Sequence, residues 1–251
     1  GFVREAAAEA VKSMGSAAAT DVILSRLAEL MKDPDGFVRE AAVEAVEGMG
    51  SAAATDAFLS RLAELMKDPD GFVREAAAEA VKSMGSAAAT DVILSRLAEL
   101  MKDPDGFVRE AAAEAVESMG SAAATDVILS RLAELMKDPD GFVREAAAEA
   151  VKSMGSAAAT DVILSRLAEL MKDPDGFVRE AAAKAVESIG SAAATDVILS
   201  RLAELMKDPE WYYVREAAAK AIGTMMRLGV RFFRKGERLE AKWAKDLAED
   251  P

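Results

Sequence analysis

The side chains in this chain that could do acid–base, metal-binding or nucleophilic chemistry are Asp, Glu, Lys, Arg, Ser, Thr and Tyr; histidine and cysteine are both missing from its 251 residues. Imidazole and thiolate are the usual means of moving a proton near pH 7, holding zinc or attacking a carbonyl. Without them, His-assisted triads, thiol catalysis and Cys/His metal sites are excluded. Carboxylates remain, and they recur. Glu5, Glu40, Glu75, Glu110, Glu145 and Glu180 form one column at 35-residue spacing, and Glu9, Glu44, Glu79, Glu114 and Glu149 a second. A catalytic site is a constellation of unlike groups in one place, and the same carboxylate repeated along a chain is not one. The expectation is therefore a non-enzyme with no catalytic, cofactor-binding or metal-binding residues and no cofactor.

What positions these columns is an internal repeat. The unit GFVREAAAEAVKSMGSAAATDVILSRLAELMKDPD starts at Gly1, Gly36, Gly71, Gly106, Gly141 and Gly176, and a divergent seventh copy opens with Trp211-Tyr212-Tyr213 and carries one inserted residue. The first, third and fifth copies are identical, and the fourth differs from them only at Glu117. Copies this alike imply recent expansion or deliberate design. The spacing predicts two helices per unit. In the first, Val38, Ala41, Ala42, Ala45, Val46 and Met49 share one side, with Asp33 as the expected cap, Pro34 in the first turn and Gly50 as the stop. In the second, Phe58, Leu59, Leu62, Leu65 and Met66 form the stripe, with Ser51 as the expected cap. Gly and Asp-Pro interrupt the pattern twice per unit, which rules out a continuous coiled coil. One hairpin cannot cover its own apolar face, so stability requires stacking on neighbours.

The run Asp68-Pro69-Asp70-Gly71-Phe72-Val73-Arg74 and the alanines after it, preceded by a Leu-rich helix and followed by a Met-Gly or Ile-Gly stop, resembles a HEAT repeat. It is similar to the HEAT-like type also found in phycobilisome lyases, over roughly residues 1–226. The resemblance implies an all-α fold, an α–α superhelix of two-helix repeats: six 35-residue repeats in residues 1–210, the first lacking its preceding helix, then a seventh repeat and a C-terminal helical cap in 211–251. It also implies a structural ladder between repeats, made by an Asp and an Arg six residues later. The matching pairs are Asp33 with Arg39, Asp68 with Arg74, Asp103 with Arg109, Asp138 with Arg144 and Asp173 with Arg179. Asp208 and Arg215 are seven apart, which puts that step in question.

In such arrays the second helix of each hairpin, here the GFVRE helix, lines the concave surface. The copies differ on that helix at unit positions 8, 9, 12 and 13, which are expected to share its solvent face. The candidate interaction face is therefore Glu9, Lys12, Glu44, Glu47, Glu79, Lys82, Glu114, Glu117, Glu149, Lys152, Lys184 and Glu187. Position 12 alternates between Lys and Glu, so opposite charges are expected to pair across each step. The leading functional expectation is a protein–protein interaction scaffold that binds a protein or peptide partner along this face.

The tail carries the rival sites. Between Lys220 and Lys245 eight residues are basic and two acidic, on a chain of net charge −13. Arg231, Arg234, Lys235 and Arg238 form a candidate basic cap patch for an anionic partner, the alternative being a nucleic-acid-binding or bilin lyase-like HEAT protein. The acidic surplus disfavours nucleic acid. No apolar run approaches the roughly 20 residues that span a bilayer, so no membrane partner is expected. The chain opens at Gly1 with neither a leader pattern nor Met, as a processed or truncated form does, and the lack of cysteine suits a cytoplasmic location. The apolar side of the first helix, with Phe2 and Val3, is expected to be partly bare, which allows end-to-end self-association.

Overall fold

A computed structural model describes residues 2–235 and 238–243, with side chains for 3–229. The chain divides into two compact units, residues 1–123 and 124–251. The first contains α1 (Phe2–Lys12), α2 (Asp21–Leu30), α3 (Gly36–Glu47), α4 (Asp56–Leu65), α5 (Gly71–Met84), α6 (Asp91–Leu100) and α7 (Gly106–Met119). The second contains α8 (Asp126–Leu135), α9 (Gly141–Met154), α10 (Asp161–Leu170), α11 (Gly176–Ile189), α12 (Asp196–Leu205) and α13 (Tyr212–Arg227), then strands β1 (Val230–Lys235) and β2 (Arg238–Trp243). The fold is an all-α solenoid of paired helices, with one β-hairpin appended.

Two kinds of helix alternate. In the first unit the GFVRE helices α1, α3, α5 and α7 pack side by side, and each Leu-rich helix folds back on the GFVRE helix that follows it, α2 on α3, α4 on α5 and α6 on α7. The second unit repeats the scheme with α8 on α9, α10 on α11 and α12 on α13. Composition explains the asymmetry between the rows. Val38, Ala42, Ala45 and Val46 are fully buried, and alanine brings backbones close, so GFVRE helices touch along their length. Leu62 and Leu97 fill the space between rows, and the Leu-rich helices contact one another less extensively.

The helix boundaries correct the expected caps. Asp35, not Asp33, caps α3, its side chain accepting from the Phe37 N–H at 3.2 Å. Asp33 is buried and accepts from the Asp35 N–H at 3.0 Å, which shapes the Asp-Pro-Asp turn itself. Ser51 caps nothing. Gly50, at φ +59°, reverses the chain into a short 3₁₀ turn over Gly50–Ala53, and Thr55 caps α4 through the Phe58 N–H. The 3₁₀ turn exists because Ala53 is small enough to be wholly buried beneath it.

The ends depart from the pattern. In this sequence α1 has no Leu-rich helix ahead of it, and Val3 is 80% exposed where Val38 and Val73 are at 0%. After Arg227 the expected helical cap is replaced by the hairpin, antiparallel from Val230↔Trp243 to Lys235↔Arg238 and lying against α12 and α13. The physical reason is local: Val230, Phe232 and Phe233 are strong strand formers, and Gly229 at φ +94° ends the helical path ahead of them.

Gly85 ends α5 at φ 60°, ψ −142°, a region essentially closed to side chains. Gly85→Ala is expected to cost roughly 1–3 kcal/mol, read as a lowered denaturation midpoint with unchanged helical circular dichroism at 20 °C (about room temperature).

Candidate functional site

The edge of each unit is built from arginine and aspartate. Arg39 Nη1 donates to the Asp33 carbonyl at 2.8 Å and the Pro34 carbonyl at 3.2 Å, fastening its own turn. Its Nε and Nη2 donate to the two carboxylate oxygens of Asp68, one repeat on, at 2.8 and 2.7 Å. Arg74 does the same to Asp68 O and to Asp103, and Arg144 to Asp138 O and to Asp173. The six-residue pairing read from the sequence is thus a contact to the Asp backbone; the charge pair runs to the next Asp, 29 residues on. Arg109 likewise donates to the Asp103 carbonyl at 2.8 Å and Arg179 to that of Asp173 at 2.7 Å. Arg4 joins the ladder by pairing with Asp33 at 2.9 Å, a member the sequence reading left out because no Asp precedes it in its own copy. The questioned step is present in altered form. Arg179 pairs with Asp208 at 2.8 Å, and Arg215 Nη1 reaches the Asp208 carbonyl at 2.7 Å despite the extra residue.

Beside this edge lies the solvent face of the GFVRE helices. Of the four variable positions, 9, 12 and 13 face out. Position 8 is core: Ala8 is 1% exposed and Val43, Ala78 and Ala113 are at 0%. Position 13 is exposed at Ser13, Gly48, Ser83, Ser118 and Ser188, and it also borders the preceding helix: a Cβ on Gly48 would stand 2.9 Å from the Lys12 carbonyl, and Ser188 Oγ donates to the Lys152 carbonyl at 2.7 Å. The expectation that all four share a solvated face is corrected at position 8.

The lysines of position 12 reach forward. Lys12 Nζ lies 3.4 Å from Glu44 and 3.5 Å from Glu47, and Lys82 Nζ lies 2.8 Å from Glu114 and 3.1 Å from Glu79. The cross-step partner is therefore mainly the position-9 glutamate of the next repeat. Lys152 pairs with Glu149, Glu187 accepts from Thr224 at 3.1 Å, Lys184 pairs with Glu180 at 2.8 Å, and Glu117 is half-buried in the same column on α7. Glu9 is exposed on α1.

Two columns that sequence reasoning did not select flank this face. Phe37, Phe72 and Phe107 are 64%, 65% and 69% exposed, off the apolar stripe of their helices. Their signal was a large ring at position 2, one residue before the buried valine. In the first unit Phe37 and Phe72 border a cleft of about 250 Å³ with Glu5, Glu9, Glu40 and Glu44. Burial, and then the neighbouring Glu44, Asp70, Glu75 and Glu5, push the Glu40 carboxyl above its ordinary range. Burial and Asp105 do the same to Glu75. Burial raises Glu145, with Asp175 and Glu149 adding to it, and burial raises Glu79 despite Lys82.

The second unit carries a different cleft, about 570 Å³, lined by both charges: Lys152, Glu180, Lys184, Glu187, Glu216 and Lys220, beside Tyr213. At its rim Phe177, Trp211 and Tyr213 stack within 5.2–5.9 Å of one another, and the Trp211 ring covers Gly176 so closely that a Cβ there would meet it at 2.9 Å. These aromatics pack the last repeat step. The backbones of Arg231, Arg234, Lys235 and Arg238 run in β1 and β2, and their side chains lie outside the described residues. Among the described residues no group of three acidic side chains is placed to hold a metal ion, and no helix is long and apolar enough to cross a membrane.

A sequence profile of HEAT repeats matches residues 24–99, 97–169 and 131–223. No curated protein matches the chain. Among solved structures, an engineered protein is 20% identical with a TM-score of 0.68, covering 81% of this chain and 96% of its own. A designed armadillo repeat protein, solved in complex with the peptide (KR)4, is 21% identical with a TM-score of 0.67, covering 80% and 99%. The HEAT-like repeats protein of the archaeon Thermococcus onnurineus NA1 is 16% identical with a TM-score of 0.63, covering 87% and 92%. At these identities the likeness is one of fold.

Two outcomes follow from the ladder and the glutamates. Arg74→Ala strips a bidentate partner from a nearly buried Asp103 and is expected to destabilise by about 2–4 kcal/mol in urea unfolding, with Arg74→Ala/Asp103→Ala costing less than the two single changes together. Glu40 and Glu75 hold protons more readily folded than unfolded, so their effect opposes folding at neutral pH and disappears as pH falls through their raised pKa values toward the ordinary glutamate range. Glu40→Gln/Glu75→Gln should therefore stabilise the protein at pH 7 and flatten the pH dependence of its midpoint just above that range; an unchanged slope would count against the raised values.

Proposed function

The chain belongs to the HEAT-repeat family, and on that premise we propose that it is a non-catalytic scaffold that binds an extended protein segment along the solvent face of its GFVRE helices. The observation that carries this reading is the division of labour within the repeat. The Arg–Asp edge is the same in copy after copy and the alanine core differs only at Val43, whereas positions 9 and 12 change charge on the exposed side. Within each unit the alanine row packs closer than the leucine row, which supports reading its solvent side as the concave surface proposed for binding. Exposed phenylalanines beside it supply apolar area of the kind found at interaction sites. The designed armadillo repeat protein solved with the peptide (KR)4 supports a peptide ligand for this architecture.

The test is a selection of binders from a random peptide library, followed by charge reversal. Glu9→Lys/Glu44→Lys/Glu79→Lys/Glu114→Lys is expected to weaken a selected peptide by at least about 100-fold (four rim or half-buried charges reversed). The matched reversal Glu29→Lys/Glu64→Lys/Glu99→Lys on the Leu-rich helices, where those glutamates are exposed, should leave binding intact. Loss from the second set and not the first would place the ligand on the opposite row and overturn the proposal.

A further inference from the structure

Glu40 and Glu75 are half-buried carboxylates with which, among the described residues, no lysine or arginine pairs. The lysines nearest in the repeat are already engaged, Lys12 with Glu44 and Glu47 and Lys82 with Glu79 and Glu114. An anion held partly out of water with only other anions around it lacks its natural complement.

The same chain shows what that complement is. In the sixth and seventh repeats the carboxylates at this position, Glu180 and Glu216, each bind an ammonium group, Lys184 Nζ at 2.8 Å and Lys220 Nζ at 2.7 Å. They do so because position 9, glutamate in the first five copies, is lysine in the last two. The substitution fills from within a place that stands open in the second and third repeats. Aromatic rings complete that place. Phe37 and Phe72 border the cleft that holds Glu40, and both are more than half exposed; Glu75 and Phe107 occupy the equivalent positions one repeat on. A ring face beside a carboxylate favours a cation over a neutral side chain.

We propose that Glu40 and Glu75, with their flanking phenylalanines, are register sites that each take one Lys or Arg side chain of an extended basic partner, one cation per repeat. The spacing specifies the partner further. Packed helices stand roughly 8–10 Å apart, and a polyproline II segment advances about 9.3 Å in its three-residue turn, returning every third side chain to one side. A partner with a basic residue at every third position, in that conformation, places a cation at each repeat. This rests on the scaffold reading, and it narrows the ligand to a charge and a period.

Fluorescence anisotropy of two labelled nonapeptides of equal composition tests it, at about 0.15 M salt where exposed charges are screened beyond roughly 8 Å. One is Lys-Pro-Pro repeated three times; the other carries its three lysines together ahead of six prolines. The spaced peptide is expected to bind at least about tenfold tighter, and Glu40→Gln/Glu75→Gln to remove about that factor, as the loss of two modest ion pairs would. Glu180→Gln/Glu216→Gln, whose carboxylates are occupied by the chain's own lysines, should change the affinity less than about twofold. Carbon-13 titration of the Glu40 and Glu75 carboxyls should show their pKa falling when the spaced peptide is added, and the helical circular dichroism of each variant checks that it is folded. Equal binding of the two peptides, no loss in Glu40→Gln/Glu75→Gln, an equal loss in Glu180→Gln/Glu216→Gln, or no binding of either peptide overturns the register. A library-selected neutral or acidic peptide that still depends on the GFVRE face would leave the scaffold reading standing while the cation register falls.

Discussion

Arg39, Arg74, Arg144 and Arg179 each make two attachments with one planar group. Nη1 closes the Asp-Pro-Asp turn behind it, and Nε with Nη2 grips the carboxylate of the next turn in parallel, as Arg39 does with Asp33 and Asp68. A lysine has no planar fork and could not grip both oxygens of the next carboxylate in parallel while a separate nitrogen holds its own turn. Because the arginine is held by its own turn, little freedom is lost when it takes the neighbouring aspartate, and because that aspartate also accepts its own turn's N–H, as Asp68 does from Asp70, it is oriented in advance. Within each unit this fixes the offset between successive GFVRE helices. The alanines and valines between them are then buried in a set register, since a stack of near-featureless alanine surfaces has little of its own to prevent sliding.

With offset and core fixed at one edge, the outward side of the helix is free to vary in charge. The variation is not uniform. In the first unit position 9 is glutamate throughout, the position-12 lysines are spent on it, and the position-5 carboxylates of Glu40 and Glu75 are left among like charges. In the second unit Lys184 and Lys220 pair with Glu180 and Glu216, while Glu145 is still raised by burial and by Asp175, and the cleft there carries both signs. The aromatic replacement at Trp211 and Tyr213 serves a different need. It covers Gly176 and stacks on Phe177 where the inserted residue has displaced the usual Asp-Gly turn, and the Trp211 and Glu210 N–H groups take over the Asp208 carboxylate. Burial works against ionisation of Asp208, yet these donors and Arg179 hold its pKa below the ordinary aspartate value.

How much of this the residues disclose depends on the distance over which each feature is decided. Helix type and buried stripe rest on periodicity of three to four residues, and Val38, Ala42, Leu59 and Leu62 lie where their spacing puts them. Caps are decided by one or two residues of competing acceptors. Asp33, Asp35, Ser51 and Thr55 are all competent, and only the path of the turn selects Asp35 and Thr55. The hairpin after Arg227 was misread as helix because its apolar residues fit either period, and strand formers beside a glycine decided it.

The sequence by itself determined the repeat, its two helices, the exclusion of thiol and imidazole chemistry, and which columns carry charge, because each of these is a matter of residue identity or short-range spacing. Only the tertiary structure decided which aspartate each arginine pairs with, that position 8 is core, and that among the described residues no lysine of a neighbouring repeat reaches Glu40 or Glu75. The aspartate pairing depends on groups 29 residues apart coming within 3 Å of each other, and identical copies of a repeat cannot reveal from their own letters which neighbour a side chain will reach.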